Sequence, residues 1–106
     1  MSKAYSVVTY QSVTDPVRFA AYTELAGPAI EAAGGRFIAR GLPIASPEGR
    51  RDQRVVVIEY DSVGAAKAAY ASEGYQKALQ VLGNAAIRDY RIVSGISQHA
   101  SSVSFH

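Results

Sequence analysis

The amino-acid sequence predicts a single α+β domain with the element order βαββαβ. Four stretches are rich in β-branched and aromatic residues, and the segments between them have apolar residues at helical spacing. The chain has 106 residues, of which 48% are hydrophobic and 19% are charged, as in one ordinary globular domain. We expect residues 1–96 to form this domain and residues 97–106 to form a polar C-terminal tail.

The first half of the chain predicts a strand followed by a long helix. Residues 4–12 contain β-branched and aromatic residues without Gly or Pro, which is typical of a strand. Asp15 followed by Pro16 predicts a helix start, since Asp caps free N–H groups and Pro lacks one. Gly34 and Gly35 predict its end. The apolar residues at helical spacing between these signals are Phe19, Tyr22, Ala26, Ile30 and Ala33.

The second half predicts three strands and one interrupted helix. The expected elements are a strand over 36–40, a loop over 42–53, a strand within 54–60, a helix over 65–71, a break at 72–74, a helical piece over 75–82 and a strand over 90–93. The continuous apolar run 55–58 predicts a central strand that is buried on both faces.

The commonest fold with this order is the ferredoxin-like fold, a four-stranded antiparallel sheet with both helices on one face. The opposite face of the sheet is left open, and the third strand predicts that this face is apolar. A contiguous exposed apolar surface is typical of a partner interface. We therefore predict a homodimer that packs its two sheet faces together.

The distribution of charge and hydropathy along the chain bears on whether the protein binds nucleic acids or membranes. The net charge is +2, and five of the eight Arg residues lie within residues 36–54. A sheet of this kind also binds RNA in some proteins, but the predicted central strand lacks the aromatic platform for base stacking. No secretory signal or membrane-spanning run is visible. We expect a cytoplasmic protein without a nucleic-acid or membrane partner.

The composition also limits the chemistry. The chain has no Cys, and its two histidines, His99 and His106, lie in the predicted tail. Proton transfer within the domain therefore falls to a carboxylate or a tyrosine. The acidic residues are scattered singly and no phosphate-binding glycine loop is present, so neither a metal site nor a cofactor is predicted.

Arg40 and Glu59 are the first candidate site residues. Period-2 alternation places Arg36 and Arg40 on one face of the second strand, and Glu59 on a valine-rich face of the third. A carboxylate in such surroundings needs a partner or takes a raised pKa. Glu59 is then either a general base beside an Arg40 that binds an anionic or carbonyl oxygen, or half of a structural ion pair within the dimer.

Further candidates face a cavity between the sheet and the helices. Tyr22 and Tyr70 lie on the inner faces of the two predicted helices, where their hydroxyls either reach the cavity or are satisfied within the core. Arg54 lies at the start of the third strand, next to the loop over 42–53. The candidate site thus comprises the catalytic residues Glu59 and Tyr22 and the ligand-binding residues Arg40, Arg54 and Tyr70.

An ordered set of short motifs runs through residues 3–96. These are TDP at 14–16, GGRFIARG at 34–41, EG at 48–49, RVVVIEY at 54–60 and IVSG at 92–95. In this combination the chain resembles a bacterial family called domain of unknown function 1330. The resemblance implies the dimeric α/β-barrel superfamily, with a ferredoxin-like protomer and a homodimer formed by sheet packing. Superfamily relatives include muconolactone isomerases and cofactor-independent monooxygenases of antibiotic biosynthesis, whereas the family has no assigned reaction.

Two functions stay open at this point. One is a cofactor-independent enzyme, isomerase-like or lyase-like, that acts on a small organic acid or carbonyl compound. The other is a non-catalytic dimer that binds a small ligand or a partner, in which the charged pair is structural. A cavity with a bound anion or buffer molecule that contacts Arg40 favours the first function, and a filled cavity favours the second.

Overall fold

The computed structural model describes residues 2–96, so His99 and His106 lie outside the described residues. The elements are β1 (Ala4–Val13), α1 (Pro16–Ala32), β2 (Arg36–Gly41), β3 (Val55–Tyr60), α2 (Val63–Ala71), α3 (Glu73–Leu82) and β4 (Ala86–Ser94). The strands form one antiparallel sheet in the order β2-β3-β1-β4. The helices pack on one face of this sheet. The predicted ferredoxin-like α+β fold is confirmed.

Capping residues define the helix ends. Asp15 accepts a backbone hydrogen bond in the first turn of α1, and Pro16 opens the helix. Gly34 follows α1 with φ +94°, a conformation that favours glycine. Ser72 is both the last cap of α2 and the first cap of α3, since its hydroxyl accepts from the backbone N–H of Tyr75. The predicted break at 72–74 is therefore a single extended residue, Ser72, between two helices.

β4 begins four residues before its predicted start. It pairs with β1 along nearly its whole length, with an irregularity between Tyr10 and Ser12. Arg88 and Asp89 interrupt the apolar pattern, so sequence reasoning began this strand at Tyr90. The extension places Arg88 directly opposite Tyr10.

The core lies between the sheet and the helices. Alternate residues of β1 and β3 are at most 7% exposed and face α1 and α3; they are Ala4, Ser6, Val8, Tyr10, Val56, Ile58 and Tyr60. The intervening residues face away from the helices and stay partly exposed. β3 is thus a central strand as predicted, but only its helix-facing side is fully buried.

The open face of the sheet carries apolar side chains. Val7, Val55 and Val57 are partly exposed there, and Val93 on β4 is 51% exposed. This surface is the one that a sheet-to-sheet dimer would bury. None of the described helices has the length and apolar character needed to cross a membrane.

Candidate functional site

A cavity of about 50 Å³ opens between the sheet and the helices α1 and α3. A water-sized group needs about 10–15 Å³, so the cavity has room for roughly three to five such groups. Its walls are mostly aliphatic and aromatic, and they include Val8, Phe19, Phe37, Val56, Ile58 and Tyr90. Three arginines also line it: Arg40, Arg54 and Arg88. An apolar cavity with a few converging polar groups is typical of a small-ligand site.

Arg88 is the polar centre of the cavity. Its Nη1 donates to the hydroxyls of Tyr10 at 3.1 Å and Tyr22 at 3.0 Å, and its Nη2 donates to the hydroxyl of Tyr75 at 3.0 Å. The hydroxyls of Tyr22 and Tyr75 lie 2.7 Å apart, so one donates to the other. The guanidinium carbon also lies 5.1–5.6 Å from the ring centroids of Tyr10, Tyr22 and Tyr90.

Four elements bring these side chains together. Arg88 and Tyr10 are register partners on β4 and β1, so their side chains share the helix-covered face. Tyr22 belongs to the buried stripe of α1. Tyr75 lies in the first turn of α3, three residues after Ser72, which caps the start of this helix. The cluster is therefore assembled by backbone pairing and helix capping.

The cluster has more hydrogen-bond donors than acceptors. A guanidinium has five N–H groups, and three bonds to tyrosine hydroxyls leave two of them free. The bond between Tyr22 and Tyr75 uses one of the three hydroxyl protons. Among residues 2–96, the other two hydroxyl protons have no acceptor. Within the same residues, Arg88 has no carboxylate partner. The arrangement suits a ligand group that only accepts, such as a carboxylate or another oxyanion.

The charge state of the cluster follows from burial. Burial raises the pKa of Tyr75 to about 12, although the positive charge of Arg88 lowers it. Burial, together with the neighbouring Tyr75, raises the pKa of Tyr22 well above its ordinary value. Burial acts against the charge of Arg88, but the facing tyrosines raise its pKa. Near neutral pH the cavity therefore offers a positive charge and protonated hydroxyls.

The two other arginines approach the cavity from the β2–β3 side. The guanidinium carbon of Arg40 lies 4.6 Å from the ring centroid of Phe37, and that of Arg54 lies 6.0 Å from the ring centroid of Phe19. Neither arginine forms an ion pair within the described part of the chain. Both predicted ligand-binding arginines thus line the cavity.

The predicted pairing of Arg40 with Glu59 is wrong. The β2–β3 register shifts between Phe37 and Ala39, so regular alternation does not hold along β2. Arg36 is opposite Glu59 on the open face, whereas Arg40 is opposite Val56 on the helix-covered face. One extra residue therefore moves Arg40 to the cavity and away from the carboxylate.

Glu59 lies on the open face of the sheet. Its carboxylate accepts hydrogen bonds from Arg36 Nε and from the Tyr5 hydroxyl, both at 3.1 Å, and Arg36 also contacts Asp61 at 3.1 Å. The bond from Arg36 lowers the pKa of Glu59, against a smaller opposing effect of desolvation. The predicted catalytic role of Glu59 stays a prediction, and it would have to operate on this face rather than in the cavity.

Tyr22 and Tyr70 lie differently with respect to the cavity. The Tyr22 hydroxyl is part of the Arg88 cluster. Tyr70 is absent from the cavity lining, and its ring packs against Tyr75 and Tyr90 with centroid distances of 5.4 and 5.0 Å. Tyr70 thus packs against two residues of the cavity wall without lining the cavity itself. Its predicted contact with a ligand stays a prediction.

Sequence reasoning missed Arg88, Tyr10 and Tyr75. The signal for Arg88 was the alternation of Arg88, Tyr90 and Ile92, which extends the predicted fourth strand by two residues. The signal for Tyr75 was its place three residues after the capping Ser72. No feature of the sequence links these residues to one another, because their contacts depend on the strand register and on helix packing.

We expect Glu59→Gln to lower stability without changing the cavity. Because the folded pKa of Glu59 is below its ordinary value of 4.5, the carboxylate stabilises the fold above that value, and this contribution is lost as pH falls through the folded pKa. The variant should not show this loss of stability at acid pH. Thermal denaturation from about pH 3 to pH 7 tests this. Glu73→Gln, in an exposed pair with Lys77, is the matched control. Unchanged stability with lost ligand binding would contradict the expectation.

Comparison with protein families matches residues 3–96 to the family described as Domain of unknown function (DUF1330). Among curated proteins, none is significantly similar in sequence.

Several solved structures share the fold. One is RPA0582, a protein of unknown function from Rhodopseudomonas palustris, with 20% identity, a TM-score of 0.68, and coverage of 91% of this chain and 84% of that one. SnoaB, a cofactor-independent oxygenase from Streptomyces nogalater, has 12% identity, a TM-score of 0.65, and coverage of 92% and 97%. A dimeric ferredoxin-like protein of unknown function from Thermobifida fusca has 13% identity, a TM-score of 0.61, and coverage of 88% and 91%. At these identities the likeness concerns the fold alone.

Proposed function

This chain belongs to the DUF1330 family, and because that family name supplies no reaction, we propose from the cavity itself that the protein binds a small carboxylate or the oxyanion of a carbonyl compound. The observation that carries the proposal is Arg88, a half-buried positive charge that contacts hydroxyls and no carboxylate within residues 2–96. A charge withdrawn from water without a counter-ion is costly. A bound oxyanion supplies that counter-ion.

The ligand places its oxygens against the free N–H groups of Arg88 and the free hydroxyl protons of the tyrosines. Its carbon skeleton lies against aliphatic walls that include Val8, Val56 and Ile58. Because the volume is only about 50 Å³, the enclosed part of the ligand has a few heavy atoms.

The functional unit in this proposal is a homodimer formed through the open sheet faces. The partly exposed valines of that face support it, since they leave an apolar surface on the single chain. The Thermobifida fusca structure with this fold is described as dimeric. The Arg36–Glu59 pair then lies at the subunit interface.

Turnover of the bound compound is the second candidate function, and the uncommitted hydroxyl proton of the Tyr22–Tyr75 pair favours it. In an isomerase-like step through an enolate, the substrate loses a proton from its α-carbon to water, Arg88 stabilises the enolate oxygen, and a tyrosine hydroxyl gives its proton to a different carbon; the proton held by solvent then restores the tyrosine hydroxyl. Because burial raises the pKa of Tyr75 to about 12, this hydroxyl is not itself a base near neutral pH. The proposal therefore favours substrates that readily lose a proton from carbon to form the enolate.

Binding of simple carboxylates tests the proposal. We expect acetate, propionate and pyruvate to raise the melting temperature, whereas the matched amides, which lack the charge, should not. A ligand at ten times its Kd stabilises by about 1.4 kcal/mol, or roughly 5–10 °C for a domain of this size. No shift with any carboxylate would reject the proposal. Deuterium exchange at the pyruvate methyl group, followed by NMR, separates turnover from binding.

A further inference from the structure

We infer that the ligand carries two acidic groups joined by a short hydrocarbon chain, that is, a small dicarboxylate. This inference rests on the proposed function and identifies a second contact for the same ligand. Its basis is the pair Arg40 and Arg54, two further guanidiniums that line the cavity on the side away from Arg88. Within residues 2–96, neither of them has a carboxylate partner.

The sheet register sets the spacing between the two ends of the cavity. Tyr10 of β1 is opposite Arg88 of β4, and its backbone N–H donates to the carbonyl of Arg54 at 2.8 Å. Arg88, Tyr10 and Arg54 therefore form one row across three strands. Strands lie about 4.8 Å apart, so the backbones of Arg88 and Arg54 are roughly 10 Å apart. Because both side chains line the cavity, a ligand of a few carbons can contact both.

Arg40 belongs to the neighbouring row of the same face. It is opposite Val56 of β3, which in turn is opposite Val8 of β1. Arg40 and Arg54 thus approach from the β2–β3 side, whereas Arg88 approaches from β4. The two ends of the cavity are both cationic, and the lining between them is mostly aliphatic and aromatic.

The balance of charge favours a dianion over a monoanion. Arg40, Arg54 and Arg88 line the cavity, and no Asp or Glu of residues 2–96 does. A monocarboxylate neutralises one of these charges and leaves the opposite end unpaired, whereas a dicarboxylate gives each end an acceptor. A phosphate ester concentrates its charge at one end and leaves the opposite cationic end without an acceptor. A dicarboxylate therefore matches the lining best.

Calorimetric titration with chain-matched acids tests the inference. The probes are malonate, succinate and glutarate against propionate, butyrate and valerate, at one ionic strength. Only part of each acid is enclosed, because the second carboxylate lies at the mouth of the cavity, where Arg40 is exposed. We expect the best dicarboxylate to bind about ten-fold or more tightly than the monocarboxylate of equal length, since a charged hydrogen-bond partner has at least that effect. Arg54→Gln should lower the affinity for the dicarboxylate more than the affinity for the monocarboxylate, and so reduce this advantage. Arg51→Gln, in the exposed part of the same loop, is the matched control and should change neither.

The outcomes separate this inference from the proposed function. Equal affinity for both series, with no effect of Arg54→Gln, overturns the inference and leaves carboxylate binding intact. Tighter binding of inorganic phosphate than of any dicarboxylate also overturns it. Binding of no carboxylate rejects the inference and the proposed function together. Should Arg54→Gln fail to fold, Arg40→Gln gives the same test from an exposed position.

Discussion

Replacing Arg88 with Met should lower carboxylate affinity by roughly two orders of magnitude while leaving the ligand-free protein about as stable as before. The affinity falls because truncating a desolvated, hydrogen-bonded charge costs about 2–5 kcal/mol of binding. The stability stays because two effects offset each other. The tyrosine hydroxyls lose a donor, and the fold no longer has to desolvate a guanidinium that lacks a counter-ion. Such a combination is typical of a residue kept for function.

Two measurements distinguish this role of Arg88 from a structural one. Calorimetric titration gives the affinity, and urea denaturation gives the free energy of unfolding of the ligand-free protein. Arg91→Met is the matched control, since Arg91 is on the same strand with its side chain 70% exposed. A loss of about 3 kcal/mol of stability in Arg88→Met, with unchanged affinity, would instead identify a structural arginine.

Most of the fold could be predicted because its signals are local. Asp15 and Pro16 mark the start of α1, and the apolar run in β3 marks a central strand. The order of elements then leaves few arrangements for a sheet with helices on one face. The start of β4 was missed since Arg88 and Asp89 break its apolar pattern. A strand that carries a functional charge has a weaker hydrophobic signal than one that serves only the core.

The site was harder to predict because it depends on register. Alternation along β2 places Arg40 beside Arg36, and only the irregularity between Phe37 and Ala39 moves Arg40 to the other face. Nothing in β2 marks this irregularity, since it contains no internal Gly or Pro. Tyr22 was found because helical spacing alone places it on the inner face of α1. Residues whose position depends on a pairing partner were misplaced or missed.

The two glycines after α1 are a further case of what sequence alone leaves undecided. Both predict the end of a helix, but the structure gives them different roles. Gly34 has φ +94°, and a methyl group there would meet nothing within 4 Å. A methyl group on Gly35 would lie 2.6 Å from Ile30 Cγ2, 2.9 Å from Tyr60 Cε1 and 3.0 Å from Ile58 Cγ2. Position 34 thus requires glycine because its φ is positive. Position 35 requires glycine because the chain at the start of β2 packs closely against the core.

Gly35→Ala should therefore destabilise the fold by about 1–3 kcal/mol, toward the upper end of that range. The side chains of Ile58 and Tyr60 cannot move aside because they are at most 1% exposed, and the backbone is held by the bond from Gly35 N–H to the carbonyl of Ile30 at 2.9 Å. Urea denaturation measures the loss. Gly64→Ala in α2 is the matched control, since its methyl group would meet only the Ser62 hydroxyl at 3.8 Å, and it should raise stability by about 0.5–1 kcal/mol. Equal stability of the two variants would contradict the packing of β2 against Ile30, Ile58 and Tyr60 described above.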